Sequence, residues 1–126
     1  MPSPEQIRAA VDAYCDAYDR SDKDAFLDAF SDDGVVIDPV GTPAHTGREA
    51  RAAFWDTVHE LAESISFEVH HVHICGDEAA MVFTINARTG AGGMAIDAVD
   101  VFQVGSDGRI RRLAAYWDMA AARPLA

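Results

Sequence analysis

The sequence is poor in basic residues and in cysteine. Ten Lys and Arg stand against twenty-one Asp and Glu, which gives a formal net charge of −11. Such a charge repels nucleic acid and anionic membranes, so we expect neither as a partner and favour neutral or apolar molecules instead. The two cysteines, Cys15 and Cys75, belong to no CxxC pair, and each is expected to be a buried, reduced thiol.

Long apolar runs are missing as well. No stretch approaches the length needed to span a bilayer, and residues 1–6 lack a basic region followed by an apolar run. We therefore expect a cytoplasmic protein with no membrane partner. The length predicts one domain, 1–126, with a single hydrophobic core and no repeat or linker.

The first half of the chain has helical periodicity. Apolar side chains recur from Pro4 onward at Ile7, Val11, Tyr14, Cys15 and Tyr18. A second, shorter helix, capped by Ser21 or Asp22 and ending near 32–34, is expected to carry Phe26, Leu27 and Phe30 on its inner side. A third runs from Gly47 to about Glu63, with an inward stripe of Ala50, Phe54, Val58 and Leu61.

The remaining segments read as strands. A short strand over 35–38 is stopped by Pro39, which lacks a backbone donor. Four longer strand-like runs, separated by glycine-containing turns, follow at 64–75, 79–89, 92–104 and 109–119. Short turns between long runs indicate antiparallel pairing. The predicted fold class is therefore α+β, with three N-terminal helices packed against a curved, mostly antiparallel sheet.

One acid falls on an apolar strand face. Side chains alternate faces along a strand, so Asp100 shares its face with five apolar residues: Met94, Ile96, Ala98, Phe102 and Val104. Burying an ionised carboxylate there is costly, so we expect Asp100 either to find a partner or to keep its proton and donate a hydrogen bond. Its neighbour Asp97 has the opposite parity and reads as an ordinary acid.

Three further side chains lie on faces predicted to be inside: Tyr14 on the first helix, Asp38 at the first strand end, and Trp117 in the last strand. Each has an ordinary structural explanation when it is taken alone, as a core residue or a turn residue. Together with Asp100 they supply a proton acceptor, two hydrogen-bond donors and an apolar wall. That combination suits carbon-acid chemistry next to a ketone.

Several segments carry a resemblance to a known family: Tyr14, 36–41 (Val-Ile-Asp-Pro-Val-Gly), 45–49, 96–101, 108–110 and 115–117. In these the chain resembles the bacterial ketosteroid isomerases of the nuclear transport factor 2-like superfamily, over nearly its whole length. The resemblance implies a cone-shaped α+β barrel whose concave side holds the helices. It also implies a homodimer paired through the open outer face of the sheet.

The resemblance further implies a steroid delta-isomerase that needs no cofactor. Asp38 would move a proton from C4 to C6 of a 3-oxo-Δ5-steroid, while Tyr14 and a protonated Asp100 hold the dienolate oxygen. A carboxylic acid kept neutral at pH 7 is this family's established device, so that role comes from the resemblance. The steroid pocket would be lined by Trp117, Trp55, Met81, Phe83, Ile96 and Ala98. Supporting tyrosines of some members correspond here to Phe30 and Trp55, which predicts a shorter chain of hydroxyls.

Other activities stay open at this point. Related folds use an inward acid to cyclise polyketides, and a binding module for an apolar ligand needs no chemistry at all. Epoxide hydrolysis is disfavoured because Arg88 has the opposite parity to Met81 and Phe83. Metal binding is also disfavoured: among His70, His71 and His73, alternation puts only the last two on one face.

Overall fold

The computed structural model describes residues 1–125. The helices are α1 (Pro4–Asp19), α2 (Lys23–Asp28) and α3 (Arg48–Leu61). The strands are β1 (Phe30–Ile37), β2 (His45–Thr46), β3 (Ser64–Cys75), β4 (Glu78–Thr89), β5 (Gly92–Val104), β6 (Ile110–Trp117) and β7 (Arg123–Pro124). A 3-10 turn, Met119–Ala121, separates the last two strands.

The strands form one curved, unclosed sheet in the order β2-β1-β6-β5-β4-β3, with β7 paired to β5. Every pairing is antiparallel except that of β1 with β6. Helix α1 packs against β3, β4 and β5, and α3 packs against α2, β1 and β2. This architecture confirms the predicted α+β fold class.

Helix α1 follows the sequence pattern closely. Ser3 caps it through a reciprocal pair of bonds, in which the Gln6 backbone N–H donates to Ser3 Oγ (3.1 Å) and the Ser3 N–H donates to Gln6 Oε1 (2.8 Å). Its inward stripe is buried as predicted, from Ile7 through Tyr18. Cys15 is half-buried, and its Sγ lies 3.5 Å from the sulfur of Met81 on β4.

The second helix is shorter than predicted, because Phe30 already belongs to β1. The Ile110 N–H donates to the Ala29 carbonyl (2.9 Å), and Phe30 pairs with Ile110, so contact with β6 ends the helix. The chain then bulges before pairing resumes at Val35. Gly34 sits in this bulge, where a Cβ would come within 2.9 Å of a backbone oxygen. Phe30 is buried as predicted, but from a strand.

The inner face of α3 also departs from prediction. Leu61 is 75% exposed, because the chain leaves the helix at Ala62, and Ala62 covers the core instead. The prediction missed Arg51, which has no exposed surface. One of its guanidinium nitrogens donates to the Gly34 carbonyl (2.8 Å), and the group lies 5.0 Å from the Phe30 ring centre. Burial lowers the pKa of Arg51.

One expectation of burial is wrong, and the last long strand ends two residues earlier than predicted. Cys75 is exposed, because it is the last residue of β3, an edge strand of the sheet. Met119 is 54% exposed, because β6 ends at Trp117 and the chain enters the 3-10 turn that Asp118 caps. The thiol of Cys75 is therefore open to solvent. Among residues 1–125, no helix is both long enough and apolar enough to cross a membrane.

Candidate active site

The structure brings together the three polar side chains that the sequence singled out. Tyr14 comes from α1, Asp38 follows the last residue of β1, and Asp100 lies in β5. Tyr14 is buried, which raises its pKa well above the ordinary value, and the charges of neighbouring Tyr18, Asp100 and Asp38 raise it further. Both carboxyl groups thus act electrostatically on one phenol.

Strand register explains how residues so far apart in sequence meet. Asp100 on β5 stands opposite Ala115 on β6, and the adjacent Ala114 pairs with Ile37 on β1. Asp38 follows Ile37, so the two acids lie across three neighbouring strands at the same level of the sheet. Because β1 pairs in parallel with β6, Asp38 lies at the same level of the sheet as Asp100.

Asp100 occupies the buried position that its parity predicted. It is 2% exposed and has Met81 and Ala115 as its strand neighbours. Burial raises its pKa well above the ordinary value, and the charge of Asp38 adds to the shift. Within residues 1–125 no ion pair offsets this cost. The neutral carboxylic acid, which can donate a hydrogen bond, is therefore favoured.

Asp38 has a different environment. It is half-buried, and the Trp117 indole N–H donates to its Oδ1 over 2.6 Å. Burial raises the pKa of Asp38, whereas this hydrogen bond and the nearby His45 lower it. Trp117 was predicted only as part of an apolar wall; the structure makes it the partner of the acid at the strand end. The net effect raises the pKa of Asp38, and that of Asp100 is raised well above the ordinary value, but only Asp38 has groups that oppose the rise.

Four predicted wall residues share the inner face of β4 and β5. Phe83 pairs with Ala98, Ala98 pairs with Trp117 on its other side, and Met81 pairs with Asp100. Ile96 lies two residues before Ala98 on the same face. All four are at most 5% exposed: Met81, Phe83, Ile96 and Ala98.

Trp55, the sixth predicted wall residue, sits deeper among aromatic rings. Its ring centre is 4.8 Å from that of Tyr18, 4.9 Å from Phe26 and 4.0 Å from His59. It is 4% exposed. Trp55 therefore packs behind α1, and a contact with substrate stays a prediction.

The prediction overlooked a second buried hydroxyl, that of Tyr18. It lies one turn after Tyr14 on α1, is 3% exposed, and its ring centre is 5.2 Å from that of Tyr14. Burial and then the charge of Asp38 raise the pKa of Tyr18, and a side-chain hydrogen bond with Tyr14 opposes them. The i, i+4 spacing of the two tyrosines was the available signal.

The outer face of the sheet carries a separate polar chain. His70 Nε2 lies 2.9 Å from Thr84 Oγ1, Thr84 donates to Asp97 Oδ1 (2.8 Å), and Arg123 donates to both Asp97 oxygens (2.9 and 3.1 Å). Hydrogen bonds from Arg123 and Thr84 lower the pKa of Asp97. Asp97 is an exposed, ion-paired acid, which matches its predicted ordinary character.

The histidine pattern on β3 is not the simple alternation that was expected. The register shifts between Val69 and His71, so His70 is an extra residue that turns to the outer face. The rings of His71 and His73 stack at 5.9 Å. In the part of the chain that the structure describes, no three His, Cys, Asp or Glu side chains are grouped as metal ligands would be.

Comparison with known proteins agrees with this architecture. Helices on the concave side of a curved, mostly antiparallel sheet define a nuclear transport factor 2-like fold. The chain belongs to the family of SnoaL-like domains, whose model matches residues 11–113.

Two relatives in sequence are enzymes. The chain is 27% identical over 112 residues to the steroid delta-isomerase of Nocardioides simplex, covering 89% of each chain. It is 26% identical over 127 residues to the epoxide hydrolase LasB of Streptomyces lasalocidi, covering 93% of this chain but only 43% of that protein. The protein is therefore related both to isomerases and to epoxide hydrolases of the same fold.

Two solved structures share the fold at lower identity. One is the epoxide hydrolase/cyclase-like enzyme SalBIII, with a TM-score of 0.90 and 23% identity over 99% of this chain and all of the other. The other is RV0760c from Mycobacterium tuberculosis in complex with estradiol-17beta-hemisuccinate, with a TM-score of 0.85 and 22% identity over 94% and 98% of the two chains. At these identities the likeness concerns the fold.

Proposed function

We propose that this protein is a steroid delta-isomerase, which converts 3-oxo-Δ5-steroids to their conjugated Δ4 isomers by intramolecular proton transfer. One observation carries the proposal: Asp100 is buried and favours its neutral form, Tyr14 is a buried phenol, and the charges of Asp100 and Asp38 both raise the pKa of Tyr14. Two donors and one base are what stabilising an enolate requires.

In the proposed reaction, Asp38 removes a proton from C4 of the steroid. The electron pair of the broken C–H bond moves toward the C3 carbonyl, and the negative charge of the dienolate gathers on its oxygen. Tyr14 and Asp100 each donate a hydrogen bond to that oxygen. Asp38 then returns its proton at C6, so the product is an isomer and the base is regenerated.

The different environments of the two aspartates support the assignment of Asp38 as the base and Asp100 as a hydrogen-bond donor. Asp100 has only burial and a like charge acting on it, which hold its proton. Asp38 has the Trp117 N–H and His45 to favour its ionised form, which a base needs. The pKa of both carboxyl groups is raised, but only that of Asp38 is held down by partners of the ionised form, and such a difference at one site points to separate acid and base roles. The Trp117 bond also occupies Oδ1, which leaves Oδ2 free to take the proton.

The relatives support an apolar ring system as the ligand. The Nocardioides relative acts on steroids, and RV0760c binds an estradiol ester. In this chain the inner wall of Met81, Phe83, Ile96 and Ala98 is apolar, which suits a neutral ketone better than a charged substrate. The roles of these residues and of Trp117 and Trp55 in binding are part of the proposal.

A second candidate is a polyketide cyclase or epoxide hydrolase, and the match to LasB favours it. Such chemistry would use Asp38 or Asp100 without needing two neutral donors at one oxygen. Arg88 is exposed at the end of β4 and is not on the apolar wall, so it does not supply the inward arginine that epoxide opening would use. A non-catalytic pocket for an apolar ligand is the third reading.

The test is an ultraviolet assay of enone formation from 5-androstene-3,17-dione with the purified protein. We expect turnover by the wild type, and Asp38→Asn, which keeps the shape and removes the base, should reduce kcat by roughly 10²–10⁴-fold. Asp100→Ala should slow turnover far more than Asp97→Ala, its matched control on the other face of β5. Wild-type protein that binds the steroid but does not isomerise it would refute the isomerase and favour the binding module.

We also propose that two copies pair through the outer face of the sheet, as the family resemblance suggests. A depression of about 400 Å³ lies on this face, and the residues that line it include His70, Val82, Asp97, Val99 and Tyr116. Tyr116 is 49% exposed, so a large ring is available for burial in an interface.

A further inference from the structure

Arg51 on α3 is a fully buried arginine whose contacts go to β1. One of its terminal nitrogens, Nη1, donates to the Gly34 carbonyl oxygen over 2.8 Å, and its guanidinium carbon lies 5.0 Å from the centre of the Phe30 ring. Among residues 1–125, its Nε and Nη2 atoms have no hydrogen-bond partner. Burying a guanidinium with so few partners costs stability, so an apolar side chain would suit this position better if packing were its only role.

The two residues that Arg51 contacts lie at the two ends of the β1 bulge. Regular pairing with β6 stops after Phe30, and residues 31–34 then stand against residue 111 alone. Arg51 contacts Phe30 just before the bulge and Gly34 at its end, so one side chain spans the irregular segment. The size of such a bulge decides which residue of the strand reaches each level of the sheet, because a slip of one residue moves every later side chain to the other face.

The position of Asp38 depends on where β1 leaves the bulge. After Gly34 the strand runs without a further shift to Ile37, which pairs with Ala114. Asp38 comes next, and its Oδ1 accepts the Trp117 N–H over 2.6 Å. Because the strength of a hydrogen bond falls as its length and angle change, a displacement of this strand would weaken the bond between Trp117 and Asp38.

Two donors from the first turns of α3 hold the Gly34 carbonyl oxygen. The N–H of Gly47, the residue that precedes the helix, donates to it over 3.0 Å, and Arg51 donates to it over 2.8 Å. Without Arg51 the carbonyl would still have Gly47 as a partner. Loss of the arginine would therefore loosen the bulge without leaving a buried acceptor unpaired.

We propose that Arg51 is a positioning residue, which fixes the β1 bulge and so holds Asp38 in the place where it acts as the base. The inference rests on the proposed function, because it takes Asp38 as the base. The guanidinium also packs on Phe30, whose ring lies edge-on to that of Tyr14 with the ring centres 6.3 Å apart. One side chain of α3 thus supports the strand that carries the base and a ring that packs against the phenol.

The first test compares Arg51→Met with Arg48→Met, the same substitution one turn earlier on α3, where Arg48 forms an exposed ion pair with Asp28. Misplacement of a reacting group slows the chemical step, so we expect Arg51→Met to lower kcat by roughly 10-fold with KM almost unchanged. Arg48→Met should leave kcat and KM unchanged. Arg51→Met should melt about as high as the wild type, because an unbranched apolar side chain fills the space without unpaired donors.

The second test does not depend on turnover. It records the indole N–H resonances by NMR of nitrogen-labelled protein, and because the chain has two tryptophans, Trp55→Phe assigns the signal of Trp117. This resonance reports the hydrogen bond to Asp38 and shifts as Asp38 gains its proton. Arg51→Met should move it toward the frequency of a weaker hydrogen bond and should shift the titration midpoint to higher pH, whereas Arg48→Met should change neither.

A lysine variant separates position from packing. Arg51→Lys keeps a donor for the Gly34 carbonyl but not the planar group that lies over Phe30. Its kcat and its Trp117 resonance should therefore fall between those of the wild type and Arg51→Met. A lysine variant as impaired as Arg51→Met would refute the role of the bond to Gly34.

The outcomes distinguish this inference from the proposed function. A Trp117 resonance that moves in Arg51→Met, in a protein without isomerase activity, would support positioning by Arg51 and refute the isomerase. An unmoved resonance would overturn the inference even if kcat falls, because the loss would then have another cause. An Arg51→Met chain that fails to fold would overturn it as well, since the role of Arg51 would then be structural.

Discussion

Asp100→Asn should stabilise the protein, and the gain should increase as the pH rises. The folded-state pKa of Asp100 lies well above the ordinary value of 3.8, because the group is buried beside Asp38. Near neutral pH the folded chain therefore holds one proton that the unfolded chain has released. A raised folded-state pKa contributes stability that is complete below the unfolded pKa and is lost as the pH rises toward the folded one.

The size of the effect follows from proton linkage. While Asp100 stays neutral in the folded state, each pH unit above its unfolded pKa lowers the free energy of unfolding by about 1.4 kcal/mol. Between about pH 5 and about pH 7 the wild type should lose about 3 kcal/mol through this residue if Asp100 stays neutral over that range. Asparagine keeps the shape and an N–H donor without ionising. The titration of Asp38 itself is common to both proteins, so their difference reports Asp100 together with the effect of the Asp38 charge on it.

The assay is thermal unfolding of both proteins across this pH range at constant ionic strength. For a chain of this size the difference in Tm between variant and wild type should widen by roughly 10 °C from about pH 5 to about pH 7. Asp97→Asn is the matched control. Its folded-state pKa is lowered by Arg123 and Thr84, so it stabilises above its unfolded pKa and its removal should bring no gain.

A difference that does not change with pH would refute this reasoning. So would an Asp100→Asn variant less stable than the wild type near neutral pH, because both results mean that Asp100 is ionised in the folded protein. An ionised Asp100 could not serve as a donor to an enolate. It would also favour the cyclase candidate over the isomerase.

Two further predictions concern Trp117 and the outer face. Trp117→Phe removes the N–H that donates to Asp38 over 2.6 Å, so the pKa of Asp38 should rise. The acidic limb of the pH profile of kcat/KM should then move to higher pH. A limb that does not move would contradict the role of this hydrogen bond. Tyr116→Asp should convert the proposed dimer to a monomer in light scattering. A wild type that is monomeric, or a variant that stays dimeric, would argue against pairing through this face.

Features that depend on local periodicity could be predicted from the sequence. Helical periodicity predicts the inward stripe of α1, and turn residues predict the bounds of β3 and β5. Alternation along β5 predicts the apolar setting of Asp100. Alternation holds wherever the pairing of a strand is regular, as it is between β4 and β5 from Gly92 to Gln103. Asp100 was identifiable for that reason without any knowledge of its partners.

Features that depend on contact between two distant segments could not be predicted from the sequence and were found only in the tertiary structure. Phe30 extends the strand because Ile110 pairs with it, and the bulge at His70 exists only relative to β4. The hydrogen bond from Trp117 to Asp38 spans 79 residues, and no periodicity encodes it.

The site itself divides along the same line. Inward-facing side chains could be assigned from the sequence, because the periods of helix and strand assign faces residue by residue. Which of those side chains meet depends on strand order and register, because these bring separate segments to one level of the sheet. Asp100 could therefore be singled out in advance, whereas the grouping of Tyr18, Tyr14 and Asp38 arises from packing α1 across the sheet.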